Sequence, residues 1–256
     1  MRRKIVGSSW KMHINTRDEV DIFVRDVRDL TKGADEIEMF IFPTFPLIDH
    51  LSQSLKGSSI GWGAQNMSFV DYGAYTGEVP APTLVDLGCK YVELGHAERR
   101  ANFNETDHNV NRKVKLCLKY NMTPLVCVGE SKDEKDEGVG HVRIKTQVLW
   151  ALDGLSDDER KQVILAYEPV WAIGQQEGAS AEYVENTHRF IRAMIADEFG
   201  NDVADAIRII YGGSVKLESS KELLSKANVD GLFLGRFALT AENFAAIVNV
   251  AKESLI

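Results

Sequence analysis

The segment ILAYEPVWAIG puts Glu168 at the end of an apolar run, followed at once by Pro169 and then by Trp171, Ile173 and Gly174. A carboxylate among apolar groups loses hydration, so its proton affinity rises toward what a general base needs at neutral pH. A lone glutamate in such a place is commonly a loop residue paired with an arginine, so the reading depends on what gathers around it. In ELGHAERR, His96 ends another apolar run, and Glu98, Arg99 and Arg100 follow as the first turn of a short helix. A helix N-terminus disfavours imidazolium, which leaves a neutral His96 able to donate a hydrogen bond to a carbonyl. Lys11, in SSWKMH, follows the first run. Held by a carboxylate such as Glu98, its ammonium would be a fixed cation near a phosphate or a developing enediolate oxygen. YGGSV (211–215) and LGRFA (234–238) offer backbone N–H groups and a short helix start, which bind phosphate well, although glycines alone imply little more than a turn.

These residues need a scaffold that brings strand ends together. Short apolar runs begin near residues 4, 39, 60, 91, 124, 163, 207 and 231, mostly about 25–45 residues apart, as repeated strand-helix units require. They are continuously apolar rather than alternating, which marks parallel strands covered on both faces. Between them, residues 16–33, 181–200 and 242–255 carry apolar side chains at helical spacing. The charge-dense stretch 129–140 reads as a solvated loop or helix start. About eight such units make a single-domain (β/α)8 barrel over residues 1–256 the leading architecture, with an open doubly wound sheet as the alternative. In a barrel, Ser9, Lys11, Gln65, Asn66, His96, Glu130, Glu168, Gly212 to Ser214, Gly235 and Arg236 would all converge on the face where active sites are built.

Composition narrows the partners. Of 256 residues, 44% are hydrophobic and 27% charged, enough for a sizeable core without a staple. The net charge of −8 disfavours nucleic acid, whose phosphates are bound by concentrated Lys and Arg. Cys89, Cys117 and Cys127 make neither a disulfide framework nor a metal spacing, and Cys127 reads as a small buried thiol. No run is long and apolar enough for a membrane span, and the start MRRKIVG lacks the features of a secretory signal, so the expected setting is cytoplasmic.

Taken together, WKM, QNM…GAYTGE, ELGHAERR, VCVGE, AYEPVWAIG and YGGSV resemble the triosephosphate isomerase family, in order and across essentially the whole chain. The resemblance implies that Glu168 shuttles a proton between adjacent carbons, neutral His96 polarises a carbonyl, and Lys11, supported by Glu98, stabilises charge. It implies a mobile lid over residues 169–179, with the Gly174 amide meeting the phosphate together with Ser214 and the Gly235–Arg236 backbone. It implies that Thr76, on a long third loop, reaches into a partner subunit of a homodimer, and that no metal or organic cofactor is needed.

Three departures fall inside the expected site. Ser9 stands where the family usually has asparagine, Gly235–Arg236 replaces a glycine pair, and the lid reads Gly174-Gln175-Gln176-Glu177 instead of a sequence near G-T-G-K. The shorter Ser9 would weaken a substrate contact and open room beside Lys11. Arg236 would either grip phosphate through a bidentate contact or turn to solvent. These features are similar to a sub-branch that isomerises four-carbon erythrulose phosphates by the same chemistry. The substrate expected from the sequence is thus triose phosphate, with tetrulose phosphate as the alternative, and an inactive binding scaffold is a third reading.

Overall fold

Each of the eight apolar runs forms a strand: β1 (Ile5–Ser9), β2 (Glu38–Phe42), β3 (Ile60–Ala64), β4 (Tyr91–Leu94), β5 (Thr123–Val128), β6 (Ile164–Tyr167), β7 (Arg208–Tyr211) and β8 (Gly231–Leu234). The computed structural model describes residues 2–175 and 178–255. All neighbouring strands pair in parallel, and β8 returns to β1 through Ile5↔Gly231, Val6↔Leu232, Gly7↔Phe233 and Ser8↔Leu234. That last ladder makes a closed barrel, not an open sheet.

Around it run α1 (Arg17–Leu30), α2 (Ile48–Ser54), α3 (Ala81–Asp86), α4 (Ala97–Asn102), α5 (Asp107–Lys119), α6 (Lys132–Asp136), α7 (Gly140–Leu152), α8 (Asp157–Arg160), α9 (Ala181–Phe199), α10 (Asn201–Ala206), α11 (Leu217–Leu224) and α12 (Ala241–Glu253). The three long helices read from periodicity begin at side-chain caps. Thr16 accepts from the Glu19 N–H in a reciprocal capping box ahead of α1, while Ser180 and Thr240 cap α9 and α12. The charge-dense stretch holds α6, opened by a Ser131–Glu134 capping box, and leads directly into α7.

Successive side chains of a strand face opposite sides. Ile5, Phe40, Phe42, Leu125, Ile164, Ala166, Ile210 and Phe233 fill the barrel interior, with Phe40 stacked on Phe42 at 5.2 Å between ring centroids. Their neighbours Val6, Met39, Ile41, Val126, Leu165 and Leu232 face the helices. Each fully buried aliphatic side chain contributes roughly 1.5–3 kcal/mol, so a one-residue slip of any strand would be heavily penalised. The same parity aims the chemistry. Continuing Ile164–Ala166 inward by two residues reaches Glu168, Ile210 leads to Gly212, Phe233 to Gly235, and Ile5 through Gly7 to Ser9. On β4, Glu93 takes an inward position two residues after Tyr91, which packs on the inner cluster.

Candidate active site

Glu168 stands just beyond β6, its N–H donating to the Val128 carbonyl at 2.8 Å, and it is buried. Gly212 makes room for it, because a Cβ there would lie 2.7 Å from Glu168 Cγ. One carboxylate oxygen, Oε2, has no hydrogen-bond partner. The other accepts from the Cys127 thiol at 3.5 Å. Burial, reinforced by the nearby Glu93 charge, raises the Glu168 pKa to about 8 against the pull of Lys11.

Glu168 Oε2 faces His96 Nε2 at 3.3 Å. The turn that delivers His96 from β4 to α4 passes through Gly95, whose φ of +70° is a region that glycine enters freely. His96 then caps α4, its Nδ1 accepting from the Glu98 N–H at 3.1 Å. A neutral ring with Nδ1 accepting must carry its proton on Nε2, so a donor points into the site. Burial, and then the Lys11 charge, push the His96 pKa down to about 4, which keeps it neutral. The expected effect of the helix N-terminus is present as this capping bond, but desolvation is the larger cause.

Lys11 has a φ of +50°, unusual for a side chain with a Cβ. Gln65 secures that backbone, its Nε2 donating to the carbonyls of Lys11 and Phe42, each at 3.0 Å. The ammonium pairs with the Glu98 carboxylate. Partial burial works against ionisation of Glu98, yet the Lys11 hydrogen bond and adjacent charges hold its pKa below the ordinary value.

These groups line a cavity of about 840 Å³ whose opposite wall is Gly174, Gly212 to Ser214, Gly235 and Arg236. The segment after β6 is tied down over it. Ser214 Oγ lies within hydrogen-bond distance of the carbonyls of Ala172 (2.8 Å) and Gln175 (3.2 Å) and donates its one proton between them, while Arg236 Nη2 donates to that of Gly174 (2.6 Å) and the Ala179 N–H to the Tyr211 hydroxyl (3.0 Å). At its start, Trp171 Nε1 and the hydroxyls of Tyr167 and Tyr183 all donate to Glu130. Among the described residues no group of three His, Cys, Asp or Glu side chains is placed to hold a metal ion.

The sequence model of a family described as Triosephosphate isomerase matches residues 4–251. Proteins named triosephosphate isomerase from Clostridium perfringens and Carboxydothermus hydrogenoformans are each 41% identical, over 97% of this chain and 100% and 98% of their own lengths. One from Alkaliphilus oremlandii is 39% identical, over 97% of this chain and all of its own. The chain belongs to the triosephosphate isomerase family. Within this family framework, Ser9, Lys11, His96, Glu98, Glu168, Gly174, Ser214, Gly235 and Arg236 all line one cavity. Thr76 does not, lying instead on an exposed loop away from it.

Two of the departures from the triosephosphate isomerase pattern make contacts that their sizes alone do not suggest. Ser9 is buried, and its Oγ donates to Glu93 Oε2 at 2.8 Å. Arg236 is exposed, yet its guanidinium donates to the Gly174 carbonyl instead of hanging in solvent. Gln176 and Glu177 lie outside the described residues. Among residues marked by their place at strand ends, Glu130, Gln65 and Asn66 support the site from outside the cavity, with Asn66 accepting from Lys113 at 2.8 Å. His13, Lys216 and Asn243 line the cavity without having been singled out. For Lys216 the available signal was a cation two positions after Ser214.

Proposed function

We propose that this chain interconverts dihydroxyacetone phosphate and glyceraldehyde 3-phosphate through an enediolate, as the names of its relatives indicate. One observation carries the chemistry: a desolvated carboxylate, Glu168, lies 3.3 Å from the protonated nitrogen of a neutral imidazole, with the Lys11 ammonium on the same cavity. Glu168 removes a proton from the carbon next to the carbonyl and returns it to the neighbouring carbon. His96 Nε2–H donates to the carbonyl oxygen as charge develops there, and Lys11, steadied by Glu98, supplies a fixed positive charge. The phosphate takes the opposite wall, where the amides of Gly174, Ser214, Gly235 and Arg236 are available. Closure of the stretch that begins at Pro169 over the mouth excludes water while the enediolate exists. None of these steps calls for a metal or organic cofactor.

The four-carbon reading drew its weight from Ser9 and Arg236. The Ser9–Glu93 and Arg236–Gly174 hydrogen bonds account for both without a longer substrate. Comparing kcat/KM for triose and tetrulose phosphates tests the choice. A preference for the tetrulose of about 10³ or more would overturn the triose assignment. Retained turnover in Glu168→Gln would remove the assigned base.

We further read residues 1–256 as one domain that acts as a homodimer in the cytoplasm. Tyr72, Tyr75 and Thr76 are exposed on the third loop, where a partner subunit would cover them. Among the described residues no helix is long and apolar enough to cross a membrane. Sedimentation equilibrium reads the oligomer directly, and a monomer at micromolar concentration would refute the dimer.

A further inference from the structure

Buried carboxylates in this protein are mostly compensated. Glu105 meets Lys113 and Arg99, Asp230 meets Arg2 and Arg192, and Glu130 accepts from three neutral donors. Glu93 is different. It points into the barrel from β4, is only 3% exposed, and among the described residues has no cation within salt-bridge distance. Its hydrogen bond comes from Ser9 on β1, across the barrel, and Ser9 itself lines the substrate cavity. An uncompensated buried carboxylate is costly, and a purely structural role there would be filled better by an apolar side chain.

A hydroxyl has one proton to give and an ionised carboxylate can only accept. While Glu93 is ionised, the Ser9 proton is committed to it, and only the lone pairs of Ser9 remain for other partners. We propose that Glu93, acting through Ser9, is a positioning residue that makes the subsite beside Lys11 a hydrogen-bond acceptor, so that it selects the free hydroxyl of the substrate and leaves the carbonyl to His96. This rests on the isomerase reading and adds which end of an α-hydroxy ketone phosphate goes where.

The arrangement is sensitive to pH. Burial raises the Glu93 pKa to about 7, opposed by the Ser9 hydrogen bond and the Lys11 charge and assisted by Glu98 and Glu105, while Glu168 and Cys127 face it from the ends of β6 and β5. Above about pH 7 Ser9 accepts. Below it, protonated Glu93 can donate to Ser9 and free the Ser9 proton to point at the cavity.

The test compares dihydroxyacetone phosphate with acetol phosphate, the analogue lacking the free hydroxyl, used as a competitive inhibitor. Wild-type protein, Ser9→Ala, Glu93→Gln and the double variant are measured at about pH 8, where Glu93 is ionised. Each single variant is expected to raise KM for dihydroxyacetone phosphate about 3- to 10-fold, the loss of one neutral hydrogen bond, with a smaller change in kcat. The double variant should be no worse than either single one, and the inhibition constant of acetol phosphate should stay within about 2-fold throughout. Equal weakening of both ligands, or independent, multiplying effects of the two substitutions, would overturn the proposal. Wild-type protein that fails to turn over triose phosphate would instead sink the isomerase reading itself, so the two failures are distinguishable.

Discussion

Glu168→Gln should abolish turnover and, at alkaline pH, raise the melting temperature. The carboxylate is buried with one oxygen unpartnered, and its pKa stands at about 8 against an ordinary 4.5. Between those values the folded protein binds a proton that the unfolded chain has released. Stability is therefore fully present below the unfolded pKa, declines as pH rises, and is lost in full above the folded pKa. At ~1.4 kcal/mol per unit, the whole shift corresponds to about 5 kcal/mol. Glu93 ionises in the same range and shares that cost, so removing the Glu168 charge alone is expected to contribute about 2 kcal/mol. A glutamine of the same shape escapes the penalty and can turn its carbonyl to His96 Nε2–H. For a chain of this length the gain amounts to about 4–8 °C at about pH 9, shrinking toward zero near about pH 5. Thermal melts by circular dichroism at the two pH values, beside a kcat measurement, provide the assay. A melting-temperature difference independent of pH, or a loss of stability at about pH 9, would refute the claim that desolvation sets the proton affinity of Glu168.

The remaining expectations follow the same geometry. kcat/KM should rise with pH as Glu168 ionises through about 8, and a profile already flat from about pH 6 would contradict that assignment. Gly212→Ala places a Cβ 2.7 Å from Glu168 Cγ and displaces the base, so kcat should fall by about 10²-fold with the fold intact by circular dichroism. His96→Gln removes the ring that presents Nε2–H to the carbonyl oxygen and should lower kcat about 10²- to 10³-fold in a steady-state assay. Arg236→Gly breaks one exposed hydrogen bond to the lid, and KM should rise only about 2- to 5-fold. A loss far beyond that would mean the guanidinium grips phosphate directly.

Much of the architecture was legible because its causes are local. Continuous apolar runs of strand length, helical spacing between them, and caps such as Thr16 and Ser180 are properties of neighbouring residues, and each reappears in the elements observed. The reactive residues were legible for the same reason: a polar group placed at the end of an apolar strand must emerge at the carboxyl end of the sheet. Closure had weaker support, resting on the count of about eight units and the family resemblance, since open and closed parallel sheets share this local pattern. It depends on β1 meeting β8, more than 220 residues away.

The sequence by itself determined the repeated strand-helix units, the end at which polar groups collect, and which carboxylate, imidazole and ammonium gather there. Only the tertiary structure decided what the supporting residues do. Ser9 looks from its size like a vacancy, and becomes a donor to Glu93 because strand parity turns both inward on opposite sides of one barrel. Glu130 and Gln65 look like members of the site, and prove to hold the lid and the Lys11 backbone. Arg236 reaches a lid carbonyl that lies 62 positions away in the chain. Such pairings carry no local signature, because distances across a closed barrel are set by strand number and register rather than by separation along the sequence.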